Sequence, residues 1–395
     1  MKPQINKWTN LTVCAGLFAF TTSVGLCAQV QIYGIIDSGL VYQHKNRDVE
    51  TDPKITDSNG FEQRTGVFRG SRWGVKGSEN LGNGYSVSFV LENGFETDTG
   101  KNTLNRFFGR EAQVTFSGPF GDFAMGRLGM LMSGCGTYTL TNWFSPFGTT
   151  WGNFSVASNN YQVGHQRLDN AIVYRTPAYA GLQMTLQYSL DMDSSSDNDL
   201  YTTGSQHGTE GKSNVDRYYA LGLSYKNYGW DVAFTADSYN YAHVPGKKAH
   251  DDAYTLSLGG SYKFSSLKLY ASGQYFRNAS TKFMRSYNQV WSNQSYEDGF
   301  NLITGVEVPL PVGNLFAAVG LVESKASDSG DDSESSRRGA SLGYNYYFSK
   351  TTLIYTMINY ARDERDLDKQ VNGQRVKGND KADTIEIGLG LTHWF

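Results

Sequence analysis

The sequence has few cysteines and prolines, no surplus of basic residues and, beyond its first 28 residues, no long apolar run. Only three cysteines occur among 395 residues, which excludes a framework of several disulfides. A formal net charge of −3 does not provide the strongly basic face that nucleic-acid binding requires. A membrane helix needs about 20 consecutive apolar residues. These absences argue against a disulfide-rich domain, a nucleic-acid partner and a helical membrane protein.

Residues 1–28 have the features of a secretory signal peptide. Two lysines precede a mostly apolar stretch that is too short for a stable membrane span. We expect cleavage after Ala28, so that residues 29–395 form one mature domain. Cys27 would suit a lipoprotein signal, but the bulky Leu26 before it disfavours lipidation. Cleavage would leave a single cysteine, which cannot form an intramolecular disulfide.

The mature chain is rich in glycine, tyrosine and phenylalanine, and its apolar residues alternate with polar ones. The last twelve residues, 384–395, show this pattern most clearly. Ile385, Ile387, Leu389 and Leu391 fall on one face of an extended strand, as period-two spacing requires. The stretch is long enough for a tilted strand to cross a bilayer, which takes roughly nine to eleven residues. The edge strand of a soluble sandwich would show the same local pattern.

The rest of the chain repeats a unit of strand, short turn, strand and long polar loop. Short turns are predicted at 83–84, 117–122, 177–181, 227–229, 265–266, 309–314 and 349–350. Long polar stretches are 192–214, 241–251, 279–297, 325–337 and 364–381. We count roughly sixteen strands, an even number as in bacterial β-barrels. The sequence therefore predicts an all-β fold, a sixteen-stranded antiparallel transmembrane β-barrel in which 384–395 pairs with 30–42.

Charged residues in the early strands indicate which face points into the barrel. A charge on a lipid-facing position costs about 2–4 kcal/mol at mid-bilayer, so Arg72 and Lys76 are expected to point inward. Glu92 and Glu111 also fall on inward positions by alternation. Strict alternation instead places Arg110 on the outer face, in phase with apolar neighbours. A bulge or a subunit interface would have to redirect it.

Three parts of the chain resemble the general diffusion porins of Gram-negative outer membranes. They are the stretch 72–84, the run Asp-Asn-Ala-Ile-Val-Tyr-Arg-Thr-Pro at 169–177, and the terminal Phe395. The resemblance covers nearly all of the mature chain. It implies a pore for small hydrophilic solutes and ions, usually a homotrimer, embedded in outer-membrane lipid and lipopolysaccharide. It also implies that the third loop of a sixteen-stranded barrel folds into the lumen and narrows it.

The segment 129–168 fits that third loop. Its seven aromatic residues would seldom all be exposed in a solvated loop. The predicted constriction-loop residues are Tyr138, Trp143, Pro146, Phe147, Gly148 and Trp151. Two interpretations are open: the rings pack against the barrel wall, or they form a track for sugar rings as in saccharide-specific channels. Many family members carry Pro-Glu-Phe-Gly-Gly here, whereas this chain has Ser-Pro-Phe-Gly-Thr at 145–149 and no acid in the whole segment.

The resemblance also implies arginines across the pore from this loop. The predicted basic side of the constriction is Arg72, Lys76, Arg110 and Arg167, where Arg167 is offset by two residues from a Val-Gly-Arg element of the family. The predicted acidic lining is Glu92 and Glu111. Because a pore's selectivity follows the charges at its narrowest ring, we predict a weak preference for anions despite the net negative charge.

No catalysis, cofactor or metal site is predicted. The six histidines are scattered, and we find no nucleophile–His–acid arrangement or phosphate-binding glycine motif, which disfavours an outer-membrane hydrolase. Asp191, Asp193, Asp197 and Asp199 are spaced like calcium ligands. However, Ser196 occupies the position where such a loop requires glycine.

Overall fold

A computed structural model describes residues 29–51, 56–141, 144–150, 155–164, 167–192, 215–242, 251–280, 296–371 and 373–395. Residues 1–28, the predicted signal peptide, lie outside these ranges. So do Trp143 and Trp151 of the predicted constriction loop, and most of the polar stretches predicted at 192–214, 241–251 and 279–297.

The described residues form mostly β-strands. The strands are β1 Gln29–Val49, β2 Ser58–Thr65, β3 Arg72–Gly82, β4 Tyr85–Gly94, β5 Glu111–Gly118, β6 Gly121–Gly129, β7 Arg167–Arg175, β8 Leu182–Ser189, β9 Arg217–Asn227, β10 Trp230–Asn240, β11 Ala253–Lys263, β12 Lys268–Ser280, β13 Tyr296–Pro309, β14 Asn314–Ala326, β15 Glu334–Ser349, β16 Thr352–Val371 and β17 Gln374–Trp394. The helices are a 3₁₀ turn at Thr103–Asn105 and α1 at Ser158–Tyr161. Within the described ranges, no helix has the length and apolar character needed to cross a membrane.

Strand β1 closes the sheet into a barrel. Along one edge it pairs antiparallel with β17, with Ile35 opposite Trp394. Along the other edge it pairs first with β3 and then with β2, so these two segments share one position in the wall. The seventeen strand segments therefore form sixteen positions, each antiparallel to its neighbours. The predicted sixteen-stranded barrel is confirmed, and so is the pairing of its first and last strands. Closure leaves no strand edge with unpaired backbone N–H and C=O groups, which lipid could not hydrogen-bond.

Side chains alternate between the lipid-facing and luminal surfaces as predicted. In β17, Ile387 and Leu389 are 44% and 55% exposed on the outer surface. The intervening Glu386 is buried on the luminal side, as is Thr392. The alternation follows from the pleat of the strand, and the apolar outer band is the surface that a bilayer covers.

All seven predicted short turns join consecutive strands, so the turns lie at one end of the barrel. Two predicted long loops are wrong. Most of 364–381 is strand, because β16 and β17 stay paired as far as Val371 opposite Gln374, and 325–337 shrinks to the connection 327–333. Beyond the bilayer both faces of a strand are wet, so a polar sequence there no longer distinguishes a strand from a loop.

Cross-strand ion pairs stabilise the extended hairpin of β16 and β17. Arg375 Nε lies 2.5 Å from Asp368 Oδ1, and Lys377 Nζ lies 3.0 Å from Oδ2. These hydrogen bonds lower the pKa of Asp368 to about 2. Cross-strand charge pairs therefore accompany the backbone pairing at this end of the hairpin.

Candidate pore constriction

The segment that joins β2 to β3 leaves the barrel wall and enters the lumen. The carboxylate of Asp37 holds it there. Oδ1 accepts a hydrogen bond from the Tyr355 hydroxyl (2.9 Å), and Oδ2 accepts one from Thr392 Oγ1 (2.6 Å). Oδ2 also accepts a bond from the backbone N–H of Arg69 (3.1 Å), and the ring of Phe68 packs 5.2 Å from that of Tyr355. This network brings Arg69 into the pore.

The segment between β6 and β7 crosses the lumen to the opposite wall. In a barrel of sixteen positions, β14 and β15 lie opposite β6 and β7. The backbone N–H of Val156 donates to Ser341 Oγ on β15 (2.7 Å). That of Val163 donates to Gln274 Oε1 on β12 (2.8 Å). The described residues of the third loop thus hydrogen-bond to β12 and β15, away from the strands that the loop connects.

The described aromatic rings of this loop pack against the wall. Phe147 is fully buried and meets Phe316 of β14 edge to face, with ring centroids 4.8 Å apart. Tyr138 is 3% exposed, and its hydroxyl lies 3.1 Å from Thr115 Oγ1 on β5. Both rings are therefore unavailable to a solute passing through the lumen.

A tight turn at 145–148 shapes the loop tip. The backbone N–H of Gly148 donates to the carbonyl of Ser145 (2.9 Å), and Gly148 has φ +60°. Proline at the second position and glycine at the fourth are typical of such turns. Pro146 lies against Gly305 of β13, where an added Cβ would come within 2.6 Å of its Cδ. The Ser-Pro-Phe-Gly sequence thus forms the tip without the family's glutamate.

Glycine at position 339 makes room for Tyr161 of the third loop. A Cβ on Gly339 would collide with the Tyr161 hydroxyl, and the ring carries the Arg337 guanidinium 5.3 Å from its centroid. We expect Gly339→Val to displace Tyr161 and loosen the loop, giving larger and noisier single-channel currents. Ala340→Val, one residue along on the outer surface, is the matched control. Unchanged currents in Gly339→Val would contradict this anchoring role.

A cavity of ≈ 460 Å³ lies between the loop and the wall formed by the first strands. Its lining consists of Tyr33, Arg69, Arg72, Lys76, Val90, Glu92, Arg110 and Glu111 from the wall, and of 134–137, Gly148 and Thr149 from the loop. Most of the predicted charged residues therefore meet at one place. Four of the lining side chains are cationic and two are carboxylates.

Glu92 is neutralised by its neighbours. Its Oε1 lies 2.6 Å from Arg110 Nε, and its Oε2 lies 3.6 Å from Arg72 Nε. The Tyr33 hydroxyl also donates to Oε2 (3.0 Å). One carboxylate is thus shared by two guanidinium groups, and the three side chains together carry one positive charge.

Glu111 is a structural acceptor more than a pore-lining charge. It is 4% exposed, and its Oε1 accepts hydrogen bonds from the backbone N–H of Thr137 (3.0 Å) and from Gln113 Nε2 (2.9 Å). These bonds tie the beginning of the third loop to β5. The contacts leave little of this carboxylate exposed to passing ions.

Arg110 points inward although strict alternation predicts an outward position. It precedes the first residue of β5, so the strand's alternation does not determine its direction. Its backbone N–H donates to the Glu92 carbonyl (3.2 Å), and its side chain is 5% exposed. No subunit interface is needed to redirect it.

Arg167, the first residue of β7, is not among the residues that line the cavity, although it was predicted for the constriction. It is 8% exposed and lies opposite Gly129 of β6. Two residues further on, Asp169 forms ion pairs with Arg127 (2.5 Å) and Arg106 (2.8 Å). Asp169 begins the porin-like run at 169–177, and it links β6, β7 and the loop after β4.

Arg69 and Cys135 are among the cavity residues that sequence reasoning missed. Gly66 and Gly70 enclose Val67, Phe68 and Arg69, and Asp37 directly follows two isoleucines in β1. Together these features could have indicated a segment held by a buried carboxylate. Cys135 lies between two glycines, which favour a turn but give no hint of its exposure to the lumen.

Residues 11–366 match the family model of Gram-negative porins. The chain belongs to this family. It is 29% identical to an outer membrane porin protein of Bordetella pertussis, over 98% of this chain and 99% of that protein. It is 27% identical to outer membrane porin protein 32 of Delftia acidovorans, over 93% and 94%. The fold resembles an anion-selective porin from Comamonas acidovorans (TM-score 0.63, 22% identity, 93% of this chain and 100% of that one).

This porin is a multi-pass β-barrel of the bacterial outer membrane and forms a diffusion pore. The relatives named above are porins, which are channels and not enzymes.

Proposed function

We propose that the protein lets small hydrophilic solutes and ions diffuse passively, with a weak preference for anions set by the constriction cavity. The charge balance of this cavity carries the proposal. Lys76 has its ammonium 5.0 Å from the Tyr33 ring centroid, and within the described ranges it makes no ion pair. Glu92 is shared by two arginines, and Glu111 is bound to the loop.

The constriction outweighs the net charge of the chain for a physical reason. Low-dielectric walls focus the field of lining charges into the water between them. At physiological salt, the charges of acidic residues at the hairpin ends are screened over distances longer than about 8 Å. The third loop supplies no carboxylate of its own. An anion-selective porin has a similar fold, which accords with this proposal.

A reversal-potential measurement in planar bilayers tests the anion preference. With a tenfold gradient of potassium chloride, we expect a potential of the sign produced by excess chloride permeability. The magnitude should grow in dilute salt, because screening weakens as the Debye length increases. A clear preference for potassium would contradict the proposal.

The aromatic rings of the third loop that the structure describes give no reason to expect saccharide specificity. Because Tyr138 and Phe147 are buried against the wall, we expect millimolar maltooligosaccharides to leave the ion current unchanged. A saturable block that disappears in Trp143→Ala or Trp151→Ala would favour a sugar-specific channel instead. Phe147→Leu is the control for a general disturbance of the loop.

We further propose that residues 1–28 are removed on export and that the mature chain is a homotrimer without catalytic activity. The outer surface of the first and last strands is apolar, with Ile32 and Leu391 exposed by 66% and 45%, and suits a subunit interface. The remaining outer surface would contact outer-membrane lipid and lipopolysaccharide. Native mass measurement in mild detergent showing only monomers would contradict the trimer.

A further inference from the structure

Cys135 has a fixed place on the wall of the constriction cavity. Its backbone N–H donates to Ser133 Oγ (2.9 Å), and that of Thr137 donates to Glu111 Oε1 (3.0 Å). The carbonyl of Cys135 packs so closely on Gly129 that any Cβ there would collide with it. These three contacts fix the turn at 133–137, and Cys135 is partly exposed at the cavity.

The surroundings of this thiol are positive. Among its charged neighbours are the guanidinium groups of Arg167 and Arg72. Four cationic side chains, those of Arg69, Arg72, Lys76 and Arg110, line the same cavity as Cys135. They concentrate anionic reagents beside this partly exposed cysteine.

Arg167 provides a second, independent observation beside Cys135. It is 8% exposed, and its buried Nε has no hydrogen-bond acceptor among the described residues. Arg167 lies opposite Gly129 in the pairing of β6 and β7, and the carbonyl of Cys135 packs on Gly129, so Arg167 lies beside the Cys135 turn. A buried donor without an acceptor costs about 1–3 kcal/mol. An anionic group attached at Cys135 would supply the missing acceptor.

We propose that Cys135 is a thiol-modification site of the pore, where anionic low-molecular-weight disulfides form an adduct that narrows the constriction. The Cys135 thiolate, having lost its proton to water, attacks one sulfur of the disulfide. The bond between the two reagent sulfurs breaks as the new one forms, and the released thiolate takes up a proton. Exchange with a free thiol reverses the step. The effect on current rests on the proposed pore function, whereas adduct formation does not.

Two methanethiosulfonate reagents of similar size but opposite charge test the site. The purified mature protein is treated with the sulfonatoethyl or the trimethylammonioethyl compound, in detergent for mass spectrometry and in planar bilayers for current. We expect one adduct per chain at Cys135 and a stepwise fall in current that dithiothreitol reverses. The anionic reagent should react about tenfold faster, because the arginines concentrate anions at the cavity.

Three variants make the test specific. Cys135→Ser should gain no adduct, and its current should not respond to either reagent. Ala178→Cys in that background places a reference thiol on an exposed turn, where the two reagents should react at similar rates without altering current. Arg167→Gln should still be labelled but lose much of the preference for the anionic reagent.

The outcomes separate this site from the proposed function. Labelling of Cys135 only after unfolding in urea would overturn the proposal, as would equal rates for both reagents or an adduct without effect on current. An adduct with the expected charge preference on a protein that conducts no ions would support the site and contradict the pore function.

Discussion

Reversing the charge at Arg72 is expected to turn the anion preference of the pore into a cation preference. Arg72→Glu changes the charge of the cavity lining by two units. A unit charge about 4 Å from a passing ion contributes about 1 kcal/mol in water. Two units without screening therefore correspond to more than a tenfold change in the ratio of ion permeabilities. In dilute salt we expect the reversal potential to change sign.

The matched control reverses a charge on the outer surface. Arg338→Glu makes the same change in net charge, but the side chain is 67% exposed on the outside of β15 and pairs with Glu323. It should leave the reversal potential unchanged, because exposed pairs are weak and the wall separates this position from the pore. Equal effects of the two variants would show that net charge, and not the constriction, determines selectivity.

A second variant, Lys76→Glu, distinguishes the effect of charge from a structural disturbance around Glu92. Arg72→Glu sets a new carboxylate beside Glu92, whose Oε2 now lies 3.6 Å from Arg72 Nε, and could disturb the local structure. Lys76→Glu also changes the lining by two charges, at a side chain without an ion pair in the described ranges. Both variants should shift selectivity toward cations. A shift in Arg72→Glu alone would indicate rearrangement around Glu92.

The barrel could be predicted from sequence because its signal is local. In β17 the outward Ile387 and inward Glu386 differ by one position, and the pleat alone assigns their faces. The prediction failed at 364–381, where strands extend beyond the bilayer and charge pairs replace the hydrophobic alternation. It also failed to find the segment between β2 and β3 that Asp37 holds in the lumen, because the partners of that carboxylate include Tyr355 and Thr392, more than 300 residues away in sequence.

The composition of the constriction was harder to predict than its existence. Arg72 and Lys76 follow from alternation, but Arg110 lies just outside a strand, where alternation gives no direction. The packing of Phe147 on Phe316 depends on the path of a loop across the lumen. No local sequence pattern determines such a path, because it depends on contacts between the loop and a distant part of the wall that form only in the folded barrel.

Removing the Asp37 carboxylate should cause the largest loss of stability. In Asp37→Ala, the Tyr355 hydroxyl, Thr392 Oγ1 and two backbone N–H groups lose their acceptor. Each buried donor left without a partner costs about 1–3 kcal/mol. Water entering the lumen would satisfy some of them, so we expect a loss of about 3–5 kcal/mol in the free energy of unfolding. Urea unfolding in lipid vesicles, followed by tryptophan fluorescence, measures it.

Tyr355→Phe separates the role of the carboxylate from that of the packing around it. This variant keeps the ring 5.2 Å from Phe68 and removes one of the hydrogen bonds to Asp37, so it should cost about 1 kcal/mol. Asp37→Ala should also alter conductance, because releasing the segment that carries Arg69 changes the cavity lining, whereas Tyr355→Phe leaves three of the four bonds in place. Similar stability and conductance in the two variants would mean that ring packing, and not the Asp37 carboxylate, holds this segment in the lumen.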